Sequence, residues 1–210
     1  MFFQSIFISN AFGAVATGNG IEAATFISEY KKATNVALPM SQRWAALQKA
    51  SAQASGDEFF KVMAFGDDKD WFMRNASLVA LDQSGSDMVY DQAKKLVTDK
   101  ALVVRSAAAD ILMRLNNDNV KKIFSAELEK KYNFNGRSSL WIRKQMMTHL
   151  IKNPTVTERD FYVRYLNDQD PEIALLSTRA LEKITRIRFT AANDKELIAQ
   201  WKKAAQQEKW

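Results

Sequence analysis

Apolar residues recur at helical spacing along most of this chain, in segments that short polar turns separate. Spacings of three and four residues place side chains on one face of an α-helix. The turns are rich in Ser, Gly, Asn and Asp, as at Ser55-Gly56-Asp57 and Ser84-Gly85-Ser86. The pattern predicts five short amphipathic helices, at Ile21–Lys32, Asp57–Phe65, Asp87–Val97, Val120–Tyr132 and Glu158–Leu166.

A longer motif alternates with these short helices. The segments that begin at Asp68 and Asp99 both read Asp-Lys, then an Arg six residues after the Asp, an Ala two residues later and a Leu seven residues after the Arg. The two copies are offset by 31 residues. Each copy predicts a second, longer helix, so the chain divides into helix pairs.

Further copies extend the motif in both directions. Counting back 31 residues from Arg74 reaches Arg43, and counting forward 38 residues from Arg105 reaches Arg143. A last copy has Asp168 and carries Ala174 in the place of the Arg. The extra seven residues before Arg143 predict an inserted loop around residues 132–138. A final helix is expected from about Asp194 to the end.

The second-helix pattern resembles the HEAT repeat in its short bacterial form, over residues 21–185. The resemblance implies an all-α fold: a right-handed α-solenoid of about five HEAT-like helix pairs with a C-terminal capping helix. A HEAT-like repeat domain would then span residues 21–210. Solenoids present extended curved surfaces, so the resemblance implies a non-catalytic module that binds or scaffolds another protein on a concave helical surface.

The repeated positions have a physical interpretation. The small residue after the Arg lets neighbouring helices approach closely, and the Leu fills the space between layers. The Arg is expected to donate to loop carbonyls or to the recurring Asp of a neighbouring repeat. The residues predicted to hold the repeats together are therefore Asp68, Arg74, Asp99, Arg105 and Arg143.

Charge is distributed unevenly. The net charge is +6, of which residues 101–210 contribute +7 and residues 1–100 contribute −1. Arg179, Lys183 and Arg186 recur at spacings of four and three, and Lys144 follows Arg143. These four cations form a candidate binding surface for an acidic partner or nucleic acid. The alternative is a solvated charged stripe that serves solubility.

The N-terminal residues suggest either export or a structural cap. Residues 1–20 combine an apolar stretch with Ala14-Val15-Ala16, the small-x-small form of a signal-peptidase site. If residues 1–16 are a signal peptide, the protein is periplasmic or secreted; otherwise it is cytoplasmic. No stretch approaches the roughly 18 apolar residues of a membrane span, so none is predicted. Gly18-Asn19-Gly20 also begins a relaxed dinucleotide fingerprint, but that motif requires a strand before it and a parallel strand after its helix.

Several chemistries find little support in the sequence. The chain has no Cys, which excludes disulfides and Cys-containing metal sites. Its single His, His149, aligns with Ala80 and Ile111 and is expected to face the interior. No enzyme activity, metal or cofactor is predicted.

The tryptophans leave one alternative open. Trp44, Trp71 and Trp141 lie near the starts of second helices and are expected in the core. HEAT-like DNA glycosylases that excise alkylated bases use Trp and Asp on the concave face. No Trp–Asp set here matches theirs residue by residue, but a related nucleic-acid-binding protein is the alternative function.

Overall fold

Helices make up most of the chain in the computed structural model, which describes residues 18–115 and 119–208. In chain order they are α1 (Gly18–Thr34), α2 (Met40–Ser51), α3 (Glu58–Met63), α4 (Trp71–Gln83), α5 (Val89–Leu96), α6 (Leu102–Leu115), α7 (Val120–Glu127), α8 (Trp141–Leu150), α9 (Arg159–Tyr165), α10 (Pro171–Thr185) and α11 (Asp194–Gln207). Short 3-10 helices span Ala64–Asp67, Lys131–Asn133 and Val156–Glu158. The all-α prediction is confirmed for the described residues.

The odd-numbered helices α1 to α9 are the first helices of five pairs, and the even-numbered helices α2 to α10 are the second helices. Each first helix packs against the second helix that follows it. The second helices also pack against one another in chain order, from α2 through α4, α6 and α8 to α10, and α11 packs on α10. The core of the described residues is therefore formed by contacts within each pair and between successive second helices.

The repeat motif explains which side chains enter this core. The Leu seven residues after the Arg is buried in each of its copies, at Leu81, Leu112, Leu150 and Leu181. Ala50, which replaces it in the first copy, is also fully buried. Burying one Leu side chain contributes roughly 1.5–3 kcal/mol, so this position alone favours stacking of successive pairs.

Side-chain caps fix where three of the long helices begin. Asp70 accepts a hydrogen bond from the Phe72 amide (2.9 Å) at the start of α4, and Asp170 accepts one from the Glu172 amide (3.0 Å) at the start of α10. Asn193 does the same for α11 through the Glu196 amide, at 2.9 Å. Each cap satisfies an amide that has no partner inside the helix.

The predicted insertion forms a small β-hairpin. Strands β1 (Phe134–Asn135) and β2 (Ser138–Ser139) pair antiparallel, with Phe134 opposite Ser139. Gly136 takes a φ of +61° at the turn, a backbone conformation that side chains disfavour. The Leu140 amide donates to the Asn133 carbonyl (3.0 Å) and closes the base of the hairpin.

The N-terminal predictions fall partly outside the described residues. The predicted signal peptide, residues 1–16, lies outside them. Residues 18–23, which carry the dinucleotide-type glycines, lie within helix α1 rather than in a turn between a strand and a helix. In the described part of the chain, no helix has the length and apolar character needed to cross a membrane.

Candidate interaction surface on the second helices

A buried arginine on each of four second helices reaches the loop of the next repeat. These four residues, Arg43, Arg74, Arg105 and Arg143, form the arginine series, and all are at most 5% exposed. Arg74 makes a two-pronged contact with Asp99, in which Nε and Nη2 donate to the two carboxylate oxygens at 2.6 and 2.8 Å. Its Nη1 donates to the Asp68 and Lys69 carbonyls, at 2.9 and 3.1 Å. Arg74 thus binds the loop before its own helix and the loop before the next one.

The outer members of the series make the same type of contact. Arg43 donates to Asp68 at 3.2 Å, and Arg143 donates to both carboxylate oxygens of Asp168, at 3.1 and 2.5 Å. In each of these pairs the Asp lies 25 residues after the Arg. The spacing recurs because each Asp lies three residues before the following second helix begins.

The third member differs. Arg105 Nε donates to the side-chain oxygen of Asn133 at 3.0 Å, and its Nη2 donates to the Tyr132 carbonyl at 2.6 Å. Asn133 is fully buried and also donates to the Glu127 carbonyl, at 2.9 Å. An Asp could accept from Arg105 but could not donate to Glu127, so the inserted hairpin uses an amide where other repeats use a carboxylate.

Charge pairing shifts the titration of the central pair. Burial raises the pKa of Asp99. Hydrogen bonds from Arg74 and from the Ala101 amide, together with the positive charges of Arg74 and Lys100, lower it by more. The pKa of Asp99 therefore lies below its ordinary value. The hydrogen bond to Asp99 raises the pKa of Arg74. Both groups therefore stay ionised in the folded protein at neutral pH.

One face of the second helices is left open. It consists of the positions two residues before, one after and five after the Arg position, which helical geometry places on one side. Its central and C-terminal members are Phe72, Asn75, Val79, Val103, Ser106, Asp110, Trp141, Lys144, Thr148, Glu172, Leu175 and Arg179. We call this surface the second-helix face.

Large apolar side chains are exposed on or beside this face. Trp141 is 58% exposed and Val103 is 43% exposed, and Trp71, at the start of α4, is 45% exposed. The expectation that Trp71 and Trp141 belong to the core is therefore wrong. Both residues lie in the first turn of their helices. Trp44 is partly buried against Phe72, with ring centroids 4.8 Å apart.

Hydrogen bonds hold the exposed Trp141 ring in place. Its indole nitrogen donates to the Ser106 hydroxyl at 3.1 Å, and that hydroxyl donates to the Gln145 side chain at 3.0 Å. Gln145 in turn donates to Asp110 at 2.5 Å. This network links α6 to α8 across the surface and orders the side chains before any partner arrives.

The four cations of the predicted basic surface do not form one continuous stripe. Lys144 and Arg179 lie on the second-helix face, where Lys144 pairs with Glu172 at 2.7 Å. Lys183 donates to the Ile151 and Lys152 carbonyls, at 2.8 and 3.1 Å, at the C-terminal end of α8. Arg186 ends α10 in a left-handed conformation, with φ of 64°, so it does not continue the helical spacing. Whether any of them binds a partner stays a prediction.

His149 lies in the interior, as its alignment indicated. It is 6% exposed and packs edge-on against Phe124, with ring centroids 5.3 Å apart. Burial lowers the pKa of His149, and the charges of Lys152 and Lys121 lower it further. The ring is therefore neutral in the folded state at neutral pH.

The sequence carried a signal for the exposed Trp141 that residue type alone obscured. Trp141 stands two residues before its Arg, in register with Val103, whereas the residue one place before the Arg is buried in these copies.

Among the described residues, no group of three or more His, Asp or Glu side chains is arranged to hold a metal ion.

Comparison with known proteins adds no relative. No protein-family model matches the chain, and no curated protein matches it.

Proposed function

We propose that this chain is a non-catalytic protein-binding or scaffolding module built from short HEAT-like repeats, and that the second-helix face binds its partner. The observation that carries the proposal is the exposure of two tryptophans, Trp71 and Trp141, at 45% and 58%. They lie on either side of the start of α6. Trp71 and Ala101, the residue before α6, line the same cleft, and the Trp141 indole donates a hydrogen bond to the Ser106 hydroxyl on α6. Tryptophan is among the residues that contribute most to protein–protein binding.

Preordering of the surface supports the same proposal. Holding a flexible side chain in place on binding costs about 0.5–1.5 kcal/mol. The indole of Trp141 already has a hydrogen-bond partner in Ser106, which is linked to two further side chains, Gln145 and Asp110. A partner that packs on this ring would therefore lose little affinity to ordering it.

The repeat architecture is also part of the proposal. The resemblance to HEAT repeats, the packing of second helices in chain order and the recurring Arg–Asp spacing of 25 residues support a right-handed α-solenoid. In a solenoid each repeat contacts mainly its neighbours, which fits an Arg that reaches only the adjacent loop. If residues 1–16 direct export, the module acts in the periplasm or outside the cell.

Site-specific photo-crosslinking tests the proposal. A benzophenone amino acid replaces Trp141 in one sample and Lys94, an exposed residue on the first helix α5, in a control sample. Crosslinking in the native host is expected to join position 141, and not position 94, to one protein partner. Equal crosslinking at both positions, or no protein adduct at 141, would contradict binding through this face.

A nucleic-acid-binding function related to the HEAT-like glycosylases is the second candidate. The observation that favours it is the excess charge of +7 in residues 101–210. Binding to DNA would then weaken steeply as salt rises, because cations on the protein displace counterions from phosphates. Reversing Lys144, Arg179 and Arg186 to Glu would abolish that binding. DNA affinity that is absent at low salt, or unchanged in the triple variant, would eliminate this candidate.

A further inference from the structure

An open cleft of about 400 Å³ lies between the N-terminal ends of α4 and α6. Its volume falls within the 300–1,000 Å³ range of sites that hold small ligands. The residues that line it are Lys69, Asp70, Trp71, Arg74, Lys100 and Ala101. The cleft therefore combines an exposed aromatic ring with several charged groups.

Two of these charged groups are available to a ligand. Arg74 is committed to Asp99, and the Asp70 carboxylate accepts from the Phe72 amide. Lys69 and Lys100 are both exposed, and within the described ranges neither has a carboxylate within the 4.0 Å of an ion pair. Their ammonium groups can therefore bind an anion without breaking an existing contact.

The charge balance favours a ligand with a single negative charge. Lys69, Lys100 and Arg74 bring three positive charges, and Asp70 and Asp99 bring two negative ones, so the net charge is one positive. One carboxylate would neutralise it, whereas a phosphate dianion would leave an excess beside Asp70. The ring of Trp71 offers a surface on which an apolar or aromatic group can pack.

The combination of lysines and tryptophan occurs once among the described repeats. The positions equivalent to Lys69 and Lys100 in the next two repeats are Ser138 and Gln169, and those equivalent to Trp71 are Leu140 and Pro171. A protein that binds a nucleic-acid strand carries cations and aromatic rings along the whole path of the strand, which here would require them in successive repeats. A single cleft instead fits one short anchor.

We propose that this cleft binds a carboxylate together with the apolar or aromatic side chain next to it, presented by a short segment of a partner protein. The inference rests on the proposed function, because it names the chemistry of a partner segment that would bind beside the second-helix face. The carboxylate lies between Lys69 and Lys100, and the apolar group packs on Trp71.

A pair of small probes tests this chemistry on the full chain. N-acetyl-phenylalanine carries both groups, and N-acetyl-phenylalaninamide keeps the ring but lacks the charge. Saturation-transfer NMR titrations should show the acid binding with a Kd in the millimolar range and about fivefold more tightly than the amide, since two exposed charge contacts each add roughly a factor of two. Adenosine monophosphate, tested in parallel, should bind more weakly than the acid.

Three variants assign the probe to the cleft. Trp71→Ala should abolish binding of both probes, and Lys69→Gln with Lys100→Gln should remove the advantage of the acid while leaving binding of the amide unchanged. Lys49→Gln with Lys94→Gln, which neutralises two exposed lysines elsewhere, should change nothing. Circular dichroism confirms that each variant is folded.

The outcomes that overturn the inference are distinct from failure of the proposed function. Equal affinity for acid and amide, tighter binding of adenosine monophosphate, or no saturable binding of the acid would each overturn it. Crosslinking of a protein at position 141 with any of these results would leave the proposed function in place and remove only the cleft ligand.

Discussion

Buried arginines are costly unless their donors are satisfied, and the described part of this chain buries four of them. Removing an ion from water costs several kcal/mol, which a partner must offset. Arg74 meets this requirement with four hydrogen bonds, two to Asp99 and two to loop carbonyls. The guanidinium fork suits this arrangement because its donors point in fixed directions, so one side chain fastens two loops.

Replacing Arg74 with Ala should destabilise the protein by about 3–5 kcal/mol, because Asp99 would be left as a buried, unpaired charge. Arg105→Ala should also lower the free energy of unfolding. The matched control is Arg114→Ala, since Arg114 pairs with Asp82 at 2.8 Å but its side chain is 61% exposed; an exposed pair contributes about 0–1 kcal/mol. Urea denaturation measures all three. Similar losses for Arg74→Ala and Arg114→Ala would refute a structural role for the arginine series.

The neutral state of His149 makes stability depend on pH. Because the folded pKa lies below the ordinary value of 6.5, the unfolded chain binds a proton that the folded chain does not. The contribution of the neutral His149 to the free energy of unfolding is therefore fully present above pH 6.5 and is lost as the pH falls towards the folded pKa. His149→Leu should remove this acid-side slope in a series of urea melts between pH 7.5 and 5. An unchanged slope would show that other groups cause it.

At the scale of elements, the hairpin changes one junction in an otherwise regular array. Its base is held by buried Asn133 and by Arg143, which contacts Ser139 and lies 4.3 Å from the Phe134 ring centroid. Its tip, from Asn135 to Ser138, is exposed. The element is therefore anchored on the arginine series at one end and accessible at the other.

Trypsin should cut first after Arg137, at the tip of this hairpin, because a protease needs an accessible segment that can extend into its active site. The expected early fragments are residues 1–137 and 138–210, identified by mass spectrometry. Arg137→Gln should remove this cut and leave later cleavage unaffected. Early cleavage within α6 or α8 instead would mean that the second helices open more easily than the tip.

Asn133→Ala should cost more stability than Asn135→Ala, a control that alters an exposed neighbour in the same hairpin. The Asn133 change removes the acceptor of Arg105 Nε and the donor to the Glu127 carbonyl. Leaving buried polar groups unsatisfied costs about 1–3 kcal/mol each. Thermal denaturation compares the two variants, and equal melting temperatures would show that the amide does not fasten this junction.

At the scale of the whole molecule, the array ends where its repeating contact ends. The last second helix, α10, has Ala174 in the Arg position, and α11 covers it. Trp201 on α11 is 1% exposed and meets Phe189 edge-on, with ring centroids 5.0 Å apart. At this end of the described residues, the apolar contact between Trp201 and Phe189 takes the place of the buried Arg–Asp pair.

Trp201→Ala should destabilise the protein by about 3–5 kcal/mol, as large-to-small changes in a core do. Trp141→Ala, on the exposed face, should change stability by less than about 1 kcal/mol. Thermal denaturation followed by circular dichroism distinguishes the two variants. A larger loss for Trp141 would mean that its ring supports the fold rather than a binding surface.

The repeat itself was readable from the sequence. Helical spacing and the motif around Arg74 and Arg105 predicted an all-α chain with paired helices and an inserted segment before Arg143. These features depend on local periodicity, since apolar residues one turn apart must share a face whatever lies opposite.

Only the tertiary structure decided which neighbours each side chain meets. The sequence indicated that Trp71 and Trp141 would be buried, but both are exposed in the first turns of their helices. It grouped Lys183 and Arg186 with Lys144 and Arg179, but Lys183 turns to the end of α8 and Arg186 leaves the helix. The cleft between Lys69 and Lys100 likewise exists only because α4 packs beside α6 and brings together residues 31 positions apart, a distance over which local periodicity carries no information.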